Sequence, residues 1–391
     1  MRVGILTHSF VDGYNGRFER VFAGGLERYM FDLALLLQDL GMRPEIHQLS
    51  FQGAFSSQVD GIDVYGHACG PDDAVKVFEQ MADAVDGPVI YASFLWHPLR
   101  FRPHSIGICH GINWDRGDGS AQEKAQVAGA IQGALDHLQR IVSVDSHFVT
   151  YCRSVCTFHD PRKLVFIPNH VDTRRFRPDP GMRRADQVRV LFPRRISWER
   201  GVIPMMIVAD RILARHPDVV VEFAGDVVEG NPITRVFRFW MKEHPHRHRL
   251  LHHVLSFSEM VRAYQRADIV VIPSIFSEGT SFSCLEALSC GAAVVATDVG
   301  GLNDLVIDGY NGLLVPPDFE ALEAAVGRCI ENRGLRGALG RKARETARAF
   351  DRSRWRLRWS RVLRPWLADW AARSPGAVDG TSLNRGFGEA A

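Results

Sequence analysis

Apolar positions follow two alternating rhythms along this 391-residue chain. Short apolar runs at Val3–Leu6, Pro44–Leu49, Pro88–Ala92, Ile106–Cys109, Ile141–Val144 and Lys163–Ile167 read as strands. Between them apolar residues recur every three or four positions. Leu26, Tyr29, Met30, Leu33, Leu36, Leu37 and Leu40 form one such stripe, ended by Gly41. Further helices are predicted over Ala74–Val85, Gln122–Gln139 and Ser146–Val155. Strands alternating with helices imply a parallel, doubly wound sheet. Asp172–Gln187, rich in Arg, Asp and Pro, breaks the rhythm and reads as a linker. Alternation then restarts, with strands at Val188–Phe192, Val219–Ala224, Leu250–Val254, Ile269–Pro273 and Ala293–Thr297. Ser256–Glu259 is a capping box for a helix over Glu259–Arg266. The pattern predicts two Rossmann-like α/β domains, 1–178 and 179–350, then a distinct 351–391 segment.

That last segment carries Trp355, Trp359, Trp366 and Trp370 on one helical face, with seven Arg against two Asp over Asp351–Arg373. Such a helix suits bracing against the first domain first, and a peripheral membrane surface second. Pro365 should kink or split it. Composition adds exclusions. The chain is 46% hydrophobic and 24% charged, which is globular. A net charge of +2 gives no footprint of a nucleic-acid partner. Seven scattered Cys without a CxxC pair suggest buried thiols in a reducing compartment. Met1–Leu6 runs straight into a strand with no signal-peptide plan, and no run of about 18 apolar residues spans a membrane. A cytoplasmic location is the expectation, with peripheral contact at the inner membrane face through residues 351–373 as the second option. Nothing here sets an oligomeric state. His244, His246, His248, His252 and His253 match no standard zinc spacing and read as a solvated loop.

Chemistry concentrates in Ser277–Val315. An apolar strand runs into a small-residue loop that opens a helix, and ligands sit beyond the carboxyl ends of such strands. Helix N-termini offer unpaired N–H donors and favour anions, so Thr280–Ser283 can hold a phosphate or sugar oxygens. Glu278 and Glu286 frame the loop. On one helix, eight residues separate them by about 12 Å of rise and about 80° of rotation. That is too far for the carboxyl pair of a retaining glycosidase, about 5 Å apart, and suits two jobs on one elongated ligand.

In order along the chain stand GGLER (Gly24–Arg28), ICHG ending a strand at His110, IPNHVDTRRFRP (Ile167–Pro178), RRISWERG (Arg194–Gly201), EGTSFSCLEALSCG (Glu278–Gly291), ATDVGGLNDLV and DGYNGLLV. This series resembles the large GT-B family of retaining glycosyltransferases called family 4, with its E-x7-E motif. The resemblance implies two Rossmann-like domains facing across a cleft and a C-terminal helix returning to the first. It implies transfer of a sugar from a nucleoside-diphosphate donor, UDP first and GDP next, to a hydroxyl acceptor. Neither a metal nor a cofactor is implied. Glu286 would bind the ribose and Glu278 the transferred sugar. The backbone of Gly279, Thr280, Ser281 and Phe282 would donate to sugar and diphosphate. Arg195 and Arg200 would clamp the diphosphate, Gly25 would let the main chain approach it, and residues around Val254 would meet the base. His110 would hydrogen-bond the donor sugar. Gly24, Asp115 and Arg194 are acceptor-side candidates, as is the long loop Ser9–Ala23. Three positions depart from the pattern: Arg200 stands for the usual Lys, Arg194 for the Gly before the clamp Arg, and His170 for the Gly after Asn169. The same fold also serves nucleotide-sugar epimerases, phosphorylases and inactive binding subunits. A cofactor-bearing phosphorylase needs a lysine, and only five of the 47 basic residues are Lys.

Overall fold

The computed structural model describes residues 1–13, 16–22, 24–111, 114–228 and 230–373. The chain divides into two compact units. The first comprises residues 1–110, 118–167 and the chain from 356; the second comprises 111–117 and 168–355. The predicted boundary at 178 lies inside the second unit. Val171 and Phe176, just before it, are fully buried in that unit's core.

The first unit opens with β1 (Arg2–Thr7), the small hairpin β2 (Val11–Asp12) and β3 (Arg17–Val21), and α1 (Gly25–Asp39). It continues through β4 (Arg43–Ser50), β5 (Phe55–Val59), β6 (Ile62–Ala68), α2 (Ala74–Asp83), β7 (Val89–Tyr91), β8 (Ile106–Cys109), α3 (Ala121–His137), β9 (Arg140–Ser143), α4 (Ser146–Val155) and β10 (Leu164–Phe166). The sheet order is β10-β9-β8-β7-β1-β4-β6-β5. All pairs are parallel except β5 with β6. Strand order reverses between β1 and β7, and the strand-end residues there define a topological switch point. β5 and β6 were not read from the sequence. Asp60 and Gly61, both at positive φ, turn between them, and an Asp-Gly pair between alternating residues is a recognisable hairpin signal.

The second unit contains β11 (Val188–Phe192), α5 (Val202–Arg215), β12 (Val219–Ala224), α6 (Pro232–Glu243), β13 (Leu250–His253), α7 (Phe257–Arg266), β14 (Ile269–Ile272), α8 (Phe282–Ser289), β15 (Ala293–Thr297), β16 (Leu313–Val315), α9 (Phe319–Glu331) and α10 (Arg333–Ala347). Its six parallel strands run β13-β12-β11-β14-β15-β16. Alternate side chains enter two cores. Val190, Phe192, Ile269 and Val271 join one; Leu191, Val270 and Ile272 join the other. Both faces are therefore covered, which is why the strands are almost wholly apolar. The switch point here lies between β11 and β14.

The terminal helix α11 spans Arg352–Arg373. Trp355, Trp359 and Trp366 are buried. Within the first unit, Trp359 Nε1 donates to Tyr29 Oη at 2.7 Å and Trp366 Nε1 to the His104 carbonyl at 2.7 Å. The aromatic face is thus turned into protein, leaving Arg354, Leu357, Arg358 and Arg361 exposed. Pro365 does not split the helix as expected. It removes a single N–H, its own side chain is exposed, and the anchored Trp359 and Trp366 hold the turns on either side. No helix among the described residues is long and apolar enough to cross a membrane.

Candidate functional site

In the second unit the loops leaving β11 and β14 meet. The first carries Arg194, Arg195 and Arg200; the second carries Ser274 and Glu278. Gly201 adopts φ +76° as the N-cap of α5, and a Cβ there would lie 1.7 Å from the Pro273 carbonyl oxygen. This glycine lets the two loops close. Gly225, ending β12, passes equally close to the main chain of Arg194, where a Cβ would lie 1.9 Å from its carbonyl oxygen.

Glu278 is only 5% exposed. Arg194 Nη2 and Arg200 Nη1 (2.5 Å) both donate to its Oε2. Ser274 Oγ donates to Oε1 at 3.0 Å. Burial alone would raise the Glu278 carboxyl, but the Arg194 and Arg200 charges and these hydrogen bonds outweigh it and hold it below the usual carboxylate range. Arg200 is itself pulled down to about 10, first by desolvation and then by repulsion from Arg194, with Arg195 adding to it. Glu278 sits in the loop ahead of α8, not on the helix, so the rise and rotation estimated for one continuous helix do not describe the Glu278–Glu286 pair. Its main chain is buttressed from below: Gly301 N donates to the Glu278 carbonyl at 2.6 Å. Gly300, at φ +51°, leaves no room for a Cβ beside Glu278.

Thr280 and Ser281 are buried at the start of α8. Asn169 N donates to Thr280 Oγ1 (2.7 Å) and Asn169 Nδ2 to the Thr280 carbonyl (2.5 Å). The NHVD segment therefore shapes this loop, a role that reading its residues alone did not assign. His170, in place of the usual Gly, is fully buried between Phe282 and Trp355. Ser281 caps α8, accepting from Cys284 N, and its Oγ also accepts from Arg194 Nη1 at 2.7 Å. With both acceptor positions filled, its O–H is left to donate outward. Glu286 is buried on α8 and bonded by the Tyr264 hydroxyl, which Ser283 also contacts. Tyr264, on α7, carries no sequence signal of this role, because only the packing of α7 on α8 brings it to Glu286. Val254 is 60% exposed just beyond β13. Asp115 accepts a hydrogen bond from Ser277 Oγ, directly beside Glu278.

Arg194 was expected on the acceptor side. Its guanidinium instead lies on Glu278 and Ser281, because its main chain enters between Gly225 and the β14 loop. The histidine stretch is not simply a solvated loop either. His244 is buried and bonded to Asp210 Oδ1 at 2.8 Å, and His252 Nε2 pairs with the Gly225 carbonyl at 3.0 Å. No His, Cys, Asp or Glu group among the described residues forms a metal site.

In the first unit, the ends of β1, β7 and β8 bring together His8, Ser93 and His110. His110 is 8% exposed, edge-on to Tyr29 at 4.9 Å, and bonded to the Ala92 main chain. Its Nε2 is buried with no hydrogen-bond partner among the described residues. Burial, with repulsion from His8, lowers His110 to about 3, and burial lowers His8 to about 4. His110 is therefore neutral, and Nε2 is a ready acceptor for a hydroxyl. At the same end, Gly24 is the N-cap of α1 without a side-chain cap, and Glu27 folds over it. Gly25 opens the helix with exposed N–H donors. The Ser9–Ala23 loop is pinned by Gln48 Oε1, which accepts from Phe10 N (2.9 Å) and Val11 N (2.7 Å).

Buried neutral histidines carry a pH signature. His8, His67 and His110 all have folded values well below 6.5. The unfolded chain binds more protons below that pH, so their contribution is complete above 6.5 and lost progressively as pH falls toward 4. Unfolding midpoints measured from pH 7.5 to 4.5 should fall accordingly. His110→Gln should flatten the curve, and an unchanged slope would remove His110 from this account.

Residues 175–346 match the family described as Glycosyl transferases group 1. A glycogen synthase of Mycobacterium tuberculosis is 25% identical over 58% of this chain and 56% of its own length. The chain thus spans little more than half of that relative. A D-inositol 3-phosphate glycosyltransferase of Kribbella flavida is 26% identical over 84% of this chain and 87% of its own. The structure of Anabaena HepE in complex with UDP-glucose is similar at TM-score 0.70 and 18% identity, covering 93% of this chain and all of that one. The chain has the two-domain α/β GT-B fold, and residues 175–346 within it are similar to the glycosyl transferases group 1 family.

Proposed function

We propose that this protein is a retaining glycosyltransferase that moves a sugar from a nucleoside diphosphate, UDP in preference to GDP, to a hydroxyl acceptor. The observation that carries this reading is the ionised Glu278 held among arginines at the β11/β14 switch point, inside the region matching the transferase family. HepE was solved with UDP-glucose, which supports the choice of nucleotide.

In this reading the diphosphate meets Arg195, Arg200 and the amides of Gly279–Phe282. Charge that grows on the leaving group is stabilised by fixed guanidiniums and a helix N-terminus, which needs no metal. Glu286, set by Tyr264, takes the ribose hydroxyls, and the base lies near Val254. The family resemblance alone assigns donor roles to Gly25 and His110 of the first unit. The acceptor attacks on the face the diphosphate leaves, and a phosphate oxygen takes the acceptor's proton, so no protein nucleophile is required. Asp115 and the Ser9–Ala23 loop serve the acceptor. In this reading the protein is cytoplasmic and serves cell-envelope glycan or natural-product glycoside biosynthesis. Any membrane contact of α11 uses its exposed arginines, because three of its four tryptophans are buried.

The test is UDP release from a panel of UDP- and GDP-sugars, with and without EDTA. Slow hydrolysis without acceptor, undiminished by EDTA, is expected. Strict metal dependence contradicts the metal-free clamp. Binding without turnover of any donor favours an inactive subunit, and interconversion of the donor sugar favours an epimerase.

A further inference from the structure

Arg194 occupies a position where the resembling family carries glycine, and its side chain goes to one place. One guanidinium nitrogen binds Glu278 Oε2 and another binds Ser281 Oγ at 2.7 Å, with the residue 7% exposed. It therefore ties the first carboxylate of the motif to the N-cap of α8. A carboxylate offers about four acceptor positions. Here Arg194 and Arg200 fill Oε2, and Ser274 takes one position on Oε1.

We propose that Arg194 is a positioning residue for Glu278, fixing its carboxylate so that it accepts one hydroxyl of the donor sugar, at Oε1. This rests on the donor-site reading above. Without Arg194, Glu278 would remain buried with Arg200 still bonded to it. The charged and titratable groups around it are Arg194 and Arg200, with Arg195 and Glu199 beside Arg200, Cys284 on α8, and Asp115 bonded to the adjacent Ser277. Removing Arg194 lets burial push the carboxyl up. A protonated Glu278 turns one oxygen into a donor and, without its charge, accepts a hydroxyl more weakly.

Wild type, Arg194→Lys and Arg194→Met should be compared in two measurements. In thermal unfolding without nucleotide, Arg194→Met should melt below wild type at pH 7. A carboxyl with a lowered folded value stabilises above its unfolded value and loses that contribution in acid. The gap should therefore narrow as pH falls toward 4; a gap independent of pH overturns the pairing. In hydrolysis of whichever UDP- or GDP-sugar wild type turns over fastest, the acid limb of kcat/KM should move up by about one unit or more in Arg194→Met. Arg194→Lys should restore it. An unmoved limb overturns the positioning role, whatever the loss of rate. Donors deoxygenated at one ring position at a time should lose affinity at one of the positions that contact Glu278; loss at two that both vanish in Glu278→Gln contradicts the single hydroxyl. If wild type hydrolyses no donor, the donor-site reading fails, while the unfolding series still decides whether Arg194 sets the charge of Glu278.

Discussion

Replacing Glu278 by alanine should abolish donor turnover and cost about 3–5 kcal/mol of folding stability, the range for breaking a buried ion pair. The large structural cost follows from what is left behind. Arg194, 7% exposed, and Arg200, 23% exposed at the side chain, would face each other with no carboxylate between them. Their mutual repulsion already lowers Arg200 in the intact protein. Glu278→Gln keeps the shape and some hydrogen bonding, and should fall between wild type and alanine in a urea unfolding series. If Glu278→Ala unfolds at the wild-type denaturant midpoint, the carboxylate does not neutralise this cluster. Stability and turnover are then separable: Glu278→Gln should lose far more in kcat/KM than in unfolding free energy.

Arg195→Ala should lower kcat by roughly two orders of magnitude, about 3 kcal/mol of transition-state stabilisation. Arg195 is half-buried, unlike the buried Arg194. Its removal should leave the unfolding midpoint far closer to wild type than Glu278→Ala does. Loss of rate at unchanged stability is the signature of a group that meets charge developing on the leaving diphosphate. A near-normal kcat would contradict the clamp, and a rise confined to KM would assign Arg195 to ground-state binding instead.

The doubly wound plan was legible because its strands are apolar on both faces and its helices carry long one-sided stripes. Tyr29 to Leu37 illustrates the latter, and those residues are buried as the spacing requires. The β5–β6 hairpin was overlooked because Phe55–Ala68 is polar and half exposed, although Asp60-Gly61 marks its turn. Two long-range effects lay beyond any local pattern. Arg194 reads locally as a bulky intruder at a glycine position, and only the fold brings it onto Glu278, 84 residues later. Tyr264 reads as an ordinary helix residue until α7 packs beside α8 and its hydroxyl reaches Glu286. The glycines were legible as a motif but not as a mechanism: Gly300 and Gly301 support the Glu278 main chain, and Gly201 lets two loops close. Pro365 fails as a breaker because flanking tryptophans are anchored elsewhere in the chain.

In the proposed function the second unit binds a nucleoside diphosphate at its switch point, with Glu286 holding the ribose. Calorimetric titration of wild type and Glu286→Ala with UDP, at one pH and without added metal, tests it most directly. Saturable one-to-one binding by wild type, weakened on the order of tenfold or more in the variant by loss of a charge-assisted hydrogen bond, is the predicted result. Equal UDP affinity in both proteins, or no binding of UDP or GDP by wild type, would contradict it.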